Sequence, residues 1–269
     1  MSPQHWRATP MRVFVWDRCL LLQAGTFVVD RRERPYRRLS ATILVASKRP
    51  FVLEVEDRPA TEYQGALVAP NVGRKYIEAV DSDLTLVDAG ITSGAFRDLE
   101  PYLVSGGVRP LGEDELRRIQ PVLGPTFAGP LVCEQAMRGF DQVVHAIAPV
   151  RGRTVEHDAR VRRVMELVEE QPFDALSVSM LAREVGLSES RLRDLFGKAM
   201  GCRLSQYMRW VAAWKAVSLW QEGMKFTDVA RAVGFHDLAH ADHAFAEIFG
   251  MSPSEITDAR WMSFHKCGR

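Results

Sequence analysis

The sequence predicts an α+β protein, with a β-rich N-terminal domain, a short helical segment and an all-α C-terminal domain. Three observations support this fold class. Short runs rich in Val, Leu, Ile and Phe recur up to residue 89, amphipathic segments follow between residues 113 and 148, and the last hundred residues contain one local design twice. A chain of 269 residues is long enough for two domains, each with its own core.

The N-terminal region contains strand-like segments separated by Pro, Gly, Asn and Asp. They lie at residues 11–17, 19–29, 41–47, 50–56, 65–70, 75–80 and 84–89. Several short strands at this close spacing predict a small barrel or sandwich, to which we assign residues 1–105.

Basic residues are concentrated at two points of this β region. Five arginines lie within residues 31–38, and two further basic residues follow the 65–70 segment. If both segments line the mouth of a barrel, they form a cationic site for an anionic effector such as an organic acid, a fatty acid or a nucleotide. The candidate effector-binding residues are Tyr36, Arg37, Arg38, Arg74, Lys75 and Tyr76. The alternatives are a solvated basic turn, a contact to DNA or protein, and a barrel filled by its own side chains.

Two helices are predicted in the segment 106–150. They span residues 113–123 and 132–148, with a break at 124–130 and a linker at 149–153. The second helix has one apolar face, formed by Ala136, Phe140, Val143, Val144 and Ile147. Such a face is buried in a folded protein, and the β domain of the same chain is one available partner.

The repeated design first occurs in residues 177–201. Ser177 can cap a first helix by accepting a backbone N–H, and Gly186 can end that helix in the left-handed conformation. Ser188 lies at the start of a second helix. The positions that form the buried face of the two helices are Leu181, Ala182, Val185, Leu192, Leu195 and Phe196.

Residues 225–250 repeat this design. Thr227, Gly234 and Asp237 take the places of the two capping serines and the glycine of the first copy. The buried positions are again apolar, namely Val229, Ala230, Val233, Phe235, Phe245 and Phe249. Two helix-turn-helix motifs in one chain predict two recognition helices that read DNA, and the alternative is two helical hairpins without a DNA role.

On these residues the chain resembles the DNA-binding domain of the AraC family of transcriptional regulators. The family's signature residues stand at 227–230, 233–235, 245, 249–250 and 252–254, and the segment 203–222 resembles its linker helix. The resemblance covers the domain that we place at residues 158–262. It implies seven helices in two subdomains, with the two recognition helices in successive major grooves.

The resemblance also implies an organisation for the rest of the chain. Residues 65–71 are similar to a strand and turn of a cupin-like sensory domain, and helices placed like those of 106–150 commonly mediate dimerisation in the family. The expected protein is therefore a cytoplasmic homodimer that responds to a small effector. It would bind promoter DNA, recruit RNA polymerase and act as an activator.

The residues expected to contact DNA are the polar ones around the two recognition helices. They are Ser188, Glu189, Ser190, Arg191, Arg193 and Lys198 in the first motif, and His236, Asp237, His240 and His243 in the second. Arg191 and Arg193 can bond guanine or phosphate, and Lys198 is better placed for the DNA backbone. We expect the first motif to carry most of the base readout, because Glu247 in the second motif repels phosphate.

The charge of this domain is low for a DNA-binding module. Residues 158–269 contain 15 Lys and Arg and 15 Asp and Glu, whereas phosphate neutralisation favours basic domains. Asp194 and Ala246 stand where relatives commonly carry basic residues. These departures favour an alternative in which the DNA-binding module is degenerate and the chain acts through protein–protein interaction.

Other function classes lack their signatures in this sequence. No catalytic Ser/His/Asp or Cys/His set is apparent, and no histidine lies between residues 12 and 104, so neither an enzyme nor a metal cupin is expected. A zinc site at His236, His240 and His243 is the weaker alternative to a DNA role. The four cysteines lack zinc or disulfide spacing, which predicts reduced thiols. We expect no cofactor, no signal peptide and no membrane span.

Overall fold

The computed structural model describes residues 6–127, 129–152 and 156–268. The chain divides into two units, one formed by residues 1–153 together with 257–269 and the other by residues 154–256. The last residues of the chain therefore belong to the first unit. This differs from the sequence-based boundary, which extends the second domain to residue 262.

The first unit is built from short strands in two sheets. Among the described residues the strands are β1 (Trp6–Ala8), β2 (Met11–Trp16), β3 (Cys19–Ala24), β4 (Phe27–Val29), β5 (Tyr36–Arg37), β6 (Ser40–Ala46), β7 (Phe51–Val55), β8 (Thr61–Tyr63), β9 (Gly65–Val68), β10 (Gly73–Ala79), β11 (Leu84–Gly90), β12 (Val108–Pro110) and β13 (Met262–Lys266). Every predicted segment contains an observed strand. The strands without a predicted counterpart are β1, β5, β8, β12 and β13.

The two sheets face each other and remain separate. One has the order β1-β4-β10-β7-β8, with β5 paired to β10, and the other has the order β12-β9-β6-β11-β3-β2-β13. All described ladders are antiparallel except that between β13 and β2. Because each sheet has two free ends in its strand order, the described strands form a sandwich and not a closed barrel.

The second sheet is covered on both faces. Strands β3, β6, β9 and β11 are buried along their whole length. On one side, Leu21, Ile43 and Val87 share a core with helical residues such as Phe140 and Val143. Burial on both faces explains why these segments are continuous apolar runs in the sequence without polar alternation.

The first unit also contains the helices α1 (Gly94–Leu99), α2 (Glu113–Phe127) and α3 (Cys133–Ile147). The prediction that the chain breaks at residue 124 is wrong, because α2 continues to Phe127. Two contacts hold this last turn. The Arg12 guanidinium donates to the Thr126 carbonyl at 2.6 Å, and Thr126 Oγ1 donates to the Leu123 carbonyl at 2.6 Å.

The apolar face of α3 packs on the chain's own sheet. All five predicted residues of this face are buried, and Phe140 lies against Trp16 with a ring-centroid distance of 5.0 Å. The face is therefore occupied within the unit. The exposed positions of α3 are polar or charged, and include Glu134, Arg138 and His145.

One disulfide corrects the expectation of four reduced cysteines. Cys133 at the start of α3 is bonded to Cys267 just beyond β13, with a Cα–Cα distance of 5.3 Å and a sequence separation of 134 residues. Cys19 and Cys202 are buried and belong to no disulfide. The pair has no local spacing signature because its partners are brought together only by the return of the chain terminus to the sheet.

The second unit is helical. Its described helices are α4 (Ala159–Glu170), α5 (Val178–Glu184), α6 (Glu189–Met200), α7 (Leu204–Leu219), α8 (Phe226–Ala232), α9 (Leu238–Phe249) and α10 (Pro253–Ile256), with a 3₁₀ turn at Phe173–Ala175. The long helix α7 lies between the two helix-turn-helix motifs in sequence, and ten of its residues are buried. In the described parts of the chain, no helix has the length and apolar character needed to cross a membrane.

Candidate nucleic-acid interface

The first motif consists of α5, a turn and α6, and its predicted punctuation is confirmed. Ser177 Oγ accepts the Met180 N–H at 3.1 Å, and Ser188 Oγ accepts the Arg191 N–H at 3.4 Å. Gly186 in the turn has φ +67°. Each cap satisfies a backbone donor that the helix itself leaves unpaired, so the start of α6 is defined by its own sequence.

The exposed face of α6 carries both signs of charge. Arg193 pairs with Glu189 at 2.7 Å, and Lys198 pairs with Asp194 at 2.9 Å, each across one helical turn. Arg191 is exposed and has no side-chain partner among the described residues. Exposed pairs of this kind contribute only about 0.3–0.5 kcal/mol, so Arg193 and Lys198 can exchange their carboxylate partners for a phosphate at small cost.

The second motif consists of α8, a turn and α9, and its start differs from the prediction. Helix α8 begins at Phe226 with Lys225 as its N-cap residue, and no side chain caps it. The prediction that Thr227 caps this helix is wrong, because Thr227 already lies within the first turn. Asp237 does cap α9, since its carboxylate accepts the His240 N–H at 2.8 Å. This hydrogen bond, followed by that from His236, lowers the pKa of Asp237.

The exposed face of α9 is chemically unlike that of α6. The helix contains no Lys or Arg, and its first residue, Leu238, leaves 37% of its surface exposed. His243 is exposed, whereas the ring of His240 lies between Phe173 and Phe235 at centroid distances of 5.6 and 5.4 Å. The structure therefore gives His240 a packing role that the sequence pattern did not indicate. Leu238 is a surface residue that sequence reasoning missed.

A cleft of about 780 Å³ lies within the second unit beside the start of α9. Among the residues that line it are the predicted contacts His236 and His240 and two cations that were not predicted, Arg209 of α7 and Arg231 of α8. Arg209 also pairs with Glu247 at 3.5 Å, which partly offsets the carboxylate expected to repel phosphate. The available signal for these cations was their basic side chains, but neither lies on a recognition helix.

The three histidines of the second motif do not form a metal site. Among the residues that the structure describes, no three His, Cys, Asp or Glu side chains are grouped as ligands for one ion. His236 pairs with Asp237 at 3.0 Å, and the imidazole of His240 packs on aromatic rings.

The six candidate effector residues fall into two groups in the first unit. Tyr36, Arg38 and Arg74 are buried. Arg37, Lys75 and Tyr76 are only partly buried. Arg37 pairs with Glu56, and the Tyr76 hydroxyl donates to Glu78. The residues therefore do not converge on one site, and the buried group alone lies between the sheets.

The buried group forms a polar network in an otherwise apolar interior. Arg38 pairs with Asp88 at 3.0 Å, and Arg74 donates to Thr42 Oγ1 at 2.5 Å. Asp88 also accepts from the hydroxyls of Ser40 and Thr42. Arg74 Nε is buried without an acceptor among the described residues, and burial lowers the pKa of its guanidinium. Two guanidinium groups thus share one buried carboxylate.

Comparison with known proteins agrees with this geometry. A helix-turn-helix domain family matches residues 181–259. The Msm operon regulatory protein of Streptococcus mutans serotype c (strain ATCC 700610 / UA159) is 28% identical over 99 residues, which is 36% of this chain and 36% of that protein. The chain thus matches about a third of the length of this curated relative.

Solved structures share the two-unit fold. Apo ToxT from Vibrio cholerae strain SCE256 superimposes with a TM-score of 0.57 at 11% identity, covering 93% of this chain and 98% of ToxT. Unsaturated fatty acid bound wild-type ToxT from the same strain gives 0.54 at 12% identity, covering 89% and 95%. At these identities the likeness concerns the fold alone. The motifs, the family match and this fold together show that the chain carries an AraC-type helix-turn-helix domain at its C-terminus and belongs with the AraC-family transcriptional regulators.

Proposed function

We propose that this chain is a sequence-specific regulator that binds promoter DNA in the cytoplasm through both helix-turn-helix motifs. The observation that carries the proposal is the pair of capped recognition helices, α6 and α9, each preceded by a left-handed glycine and each with an exposed outer face. Helices built in this way enter the major groove with their first turns near the base edges.

The two recognition helices divide the work in this proposal. Helix α6 supplies the charged contacts, with Arg191 directed at a guanine and Arg193 and Lys198 available for guanine or phosphate. Helix α9 supplies neutral contacts, in which Leu238 meets a thymine methyl group and His243 bonds a base or phosphate. Arg209 and Arg231, in the cleft beside α9, provide backbone charge that α9 itself lacks.

In vitro selection from random duplexes tests this proposal and requires no known operator sequence. The wild-type chain is expected to enrich a motif with two half-sites about one helical turn apart. The Arg191→Ala/Arg193→Ala variant is expected to lose the half-site that contains guanine, and Arg162→Ala on α4 serves as the matched control with an unchanged motif. Failure of the wild type to enrich any sequence, with the fold intact, supports the second candidate function.

That second candidate is a regulator that acts through protein–protein interaction. The observation in its favour is the internal pairing of Arg193 and Lys198 together with the absence of Lys and Arg from α9. Salt dependence separates the two candidates. Direct phosphate contact predicts that Lys198→Ala reduces the salt slope of binding to the selected duplex by about one, whereas an interaction protein has no duplex affinity to reduce.

We propose further that the first unit, residues 1–105 with the helical segment 106–150, is a cupin-like sensory region for an anionic effector. The buried network supports this proposal, because its two guanidinium groups exceed the charge of Asp88 and a carboxylate ligand balances them. ToxT, which shares the fold, has been solved with a bound unsaturated fatty acid. The effector contacts in this proposal are Tyr36, Arg38 and Arg74, and no longer all six residues.

Calorimetric titration with oleate, as a model carboxylate, tests the effector site. Arg74→Met is expected to weaken binding at least tenfold, and Tyr36→Phe, which removes only a hydroxyl, covers the case in which the first variant does not fold. Lys75→Met lies outside the buried network and is the matched control. Equal affinity of oleate for all of these chains, or binding to none, contradicts the site.

The remaining expectations also stand as proposals. We propose that the regulator activates transcription by contacting RNA polymerase and that it works as a homodimer. The apolar face of α3 is occupied by its own sheet, so dimerisation through this helix would use its polar outer face. Light scattering on the Arg138→Glu variant tests that arrangement, and transcription from a selected promoter with purified polymerase tests the sign of regulation.

A further inference from the structure

The C-terminal strand of the chain is attached to the first unit by a backbone ladder with little side-chain anchorage. Strand β13 lies parallel to β2, from Met262 opposite Met11 to Lys266 opposite Val15. Of its five residues only Met262 is buried, although His265 stacks on Phe14 at a centroid distance of 4.7 Å. An edge strand of this kind opens easily unless something else holds it.

The disulfide supplies that further hold, directly beyond the strand. The Cys267 N–H continues the ladder by donating to the Val15 carbonyl at 2.9 Å, and the Cys267 side chain lies in the core beside α3. Its partner Cys133 is the first residue of α3. The bond therefore joins the loosely anchored strand to a helix whose apolar face is packed in the core.

The position of this bond in the chain gives it a consequence beyond local stability. The chain leaves the first unit near residue 153, forms the whole helix-turn-helix unit, and returns near residue 257. The loop closed by Cys133 and Cys267 therefore contains all of the second unit. While the bond is present, both ends of the DNA-binding unit are tied to the sensory unit. Once the bond and the short ladder open, only the N-terminal end is tied.

We propose that Cys133 and Cys267 form a reversible redox site that controls whether the C-terminal strand, and with it the second end of the helix-turn-helix unit, is attached to the first unit. The reactants are a low-molecular-weight disulfide for closure and the corresponding thiol for opening. This inference goes beyond the proposed DNA function and does not depend on it.

The chemistry balances as two exchange steps. The Cys133 thiolate attacks one sulfur of the small disulfide, the S–S bond breaks, and one small thiolate leaves. The Cys267 thiolate then attacks the Cys133 sulfur of the mixed disulfide, and the second small thiolate leaves with the other half of the bonding change. The protein loses two electrons, the small disulfide gains them, and the two protons released by the cysteines are taken up by the two departing thiolates.

The surroundings of the four cysteines favour this pair as the reactive one. Cys133 is only partly buried and stands at the N-terminus of a 15-residue helix, where a thiolate is stabilised. The neighbouring Glu134 is partly neutralised by Arg138 at 3.5 Å. Cys202 differs in both respects, because it is buried and burial raises the pKa of its thiol to about 12. In reducing compartments, the disulfides that do form are mostly catalytic or redox-sensing.

The experiment uses the full chain equilibrated in glutathione buffers of increasing oxidised fraction. Alkylation followed by mass spectrometry measures the disulfide fraction, and hydrogen exchange measures the protection of the 262–266 amides. We expect the Cys133–Cys267 bond to form and break reversibly across the series, and exchange of these amides to be at least tenfold faster in the reduced chain. Cys133→Ser is expected to exchange rapidly at every ratio, and Cys202→Ala to behave as the wild type.

Three results would overturn the proposal. The first is that Cys133 and Cys267 remain open to alkylation at every glutathione ratio, and the second is that they remain bonded in millimolar dithiothreitol without unfolding. The third is equal protection of residues 262–266 in both redox states of the wild-type chain, a comparison that needs no variant to fold. Neither readout involves DNA, so a failure of the proposed DNA function leaves the test intact.

Discussion

The two recognition helices, α6 and α9, have the same frame and different surfaces. Each has 12 residues, begins at a side-chain cap, and ends at a left-handed glycine, Gly201 or Gly250. The exposed side of α6 is rich in charge, whereas that of α9 carries Leu238 and His243 and no Lys or Arg. The frame depends on caps, glycines and buried aromatics, so the outer residues are free to differ. Similarity of frame therefore does not imply equal contact with DNA.

The largest effect is expected where the frames are the same. Phe196 and Phe245 occupy corresponding positions, both fully buried, with Phe196 against Tyr207 at 5.2 Å and Phe245 against Phe226 at 5.2 Å. Replacing either residue by Ala should lower the free energy of unfolding by about 3–5 kcal/mol, because a large cavity is left. Urea denaturation of both variants checks this. A difference of more than about 2 kcal/mol between them would break the equivalence of the two frames.

The second effect separates the two turns. A Cβ at Gly234 would lie 2.5 Å from the Phe173 nitrogen and 2.7 Å from the Asp174 nitrogen, whereas one at Gly186 would meet nothing within 4 Å. Gly186→Ala should therefore cost only the left-handed strain of about 1–2 kcal/mol. Gly234→Ala should cost roughly 3 kcal/mol or more, because overpacking adds to that strain. Thermal denaturation of the two variants, measured side by side, would contradict this if their midpoints fell equally.

The third effect concerns DNA readout and depends on the proposed function. Arg191→Ala should weaken binding to the selected duplex by about 1–3 kcal/mol, which is about 5- to 150-fold in Kd. His243→Ala on α9 should cost less, because its imidazole is largely uncharged near neutral pH. Leu238→Ala should mainly relax the preference for thymine at one position. Fluorescence anisotropy with single-base variants of the duplex measures all three. A larger loss from His243→Ala than from Arg191→Ala would reverse the assigned roles.

The smallest effect distinguishes the two caps by their pH dependence. Ser188 does not titrate, so Ser188→Ala should cost about 1 kcal/mol at every pH. The folded-state pKa of Asp237 is lowered, chiefly by the His240 N–H. Its contribution is therefore complete above the unfolded pKa of about 4 and is lost as the pH falls through the lower folded value.

The variant Asp237→Asn isolates this titration, because Asn keeps the capping acceptor and cannot ionise. Stability should decline less steeply between pH 5 and about 2 in the variant than in the wild type. Asp158, whose pKa is lowered to about 2 by Arg160, titrates in the same range in both chains and so cancels in the comparison. Identical acid limbs in thermal denaturation would mean that the Asp237 cap has no ionic component.

Much of the second unit could be predicted from local sequence. Caps at Ser177, Ser188 and Asp237 and the left-handed glycines are short-range features, because each involves residues within one turn. The exception is α8, where a hydroxyl at position 227 suggested a cap that the helix does not use. The predicted apolar positions Leu192 and Phe245 are buried for the same short-range reason, since helical spacing places them on one face.

The candidate effector site was only partly predictable. The sequence indicated two basic segments, but strand register decides which side chains enter the interior. Arg74 and Lys75 are neighbours, yet only Arg74 reaches the network with Thr42, which lies 32 positions earlier in the chain. The carboxylate Asp88 was not considered, because it sits within an apolar strand whose partners are distant in sequence.

The sequence by itself determined the order of strands and helices, both helix-turn-helix frames and the chemistry of the two recognition faces. These follow from periodicity, caps and turn residues, which act over a few positions. Only the tertiary structure decided that β13 returns to β2, that Cys133 meets Cys267 across 134 residues, and that the apolar face of α3 is buried on its own sheet. Such pairings depend on which distant surfaces bury each other, and no local pattern encodes that choice.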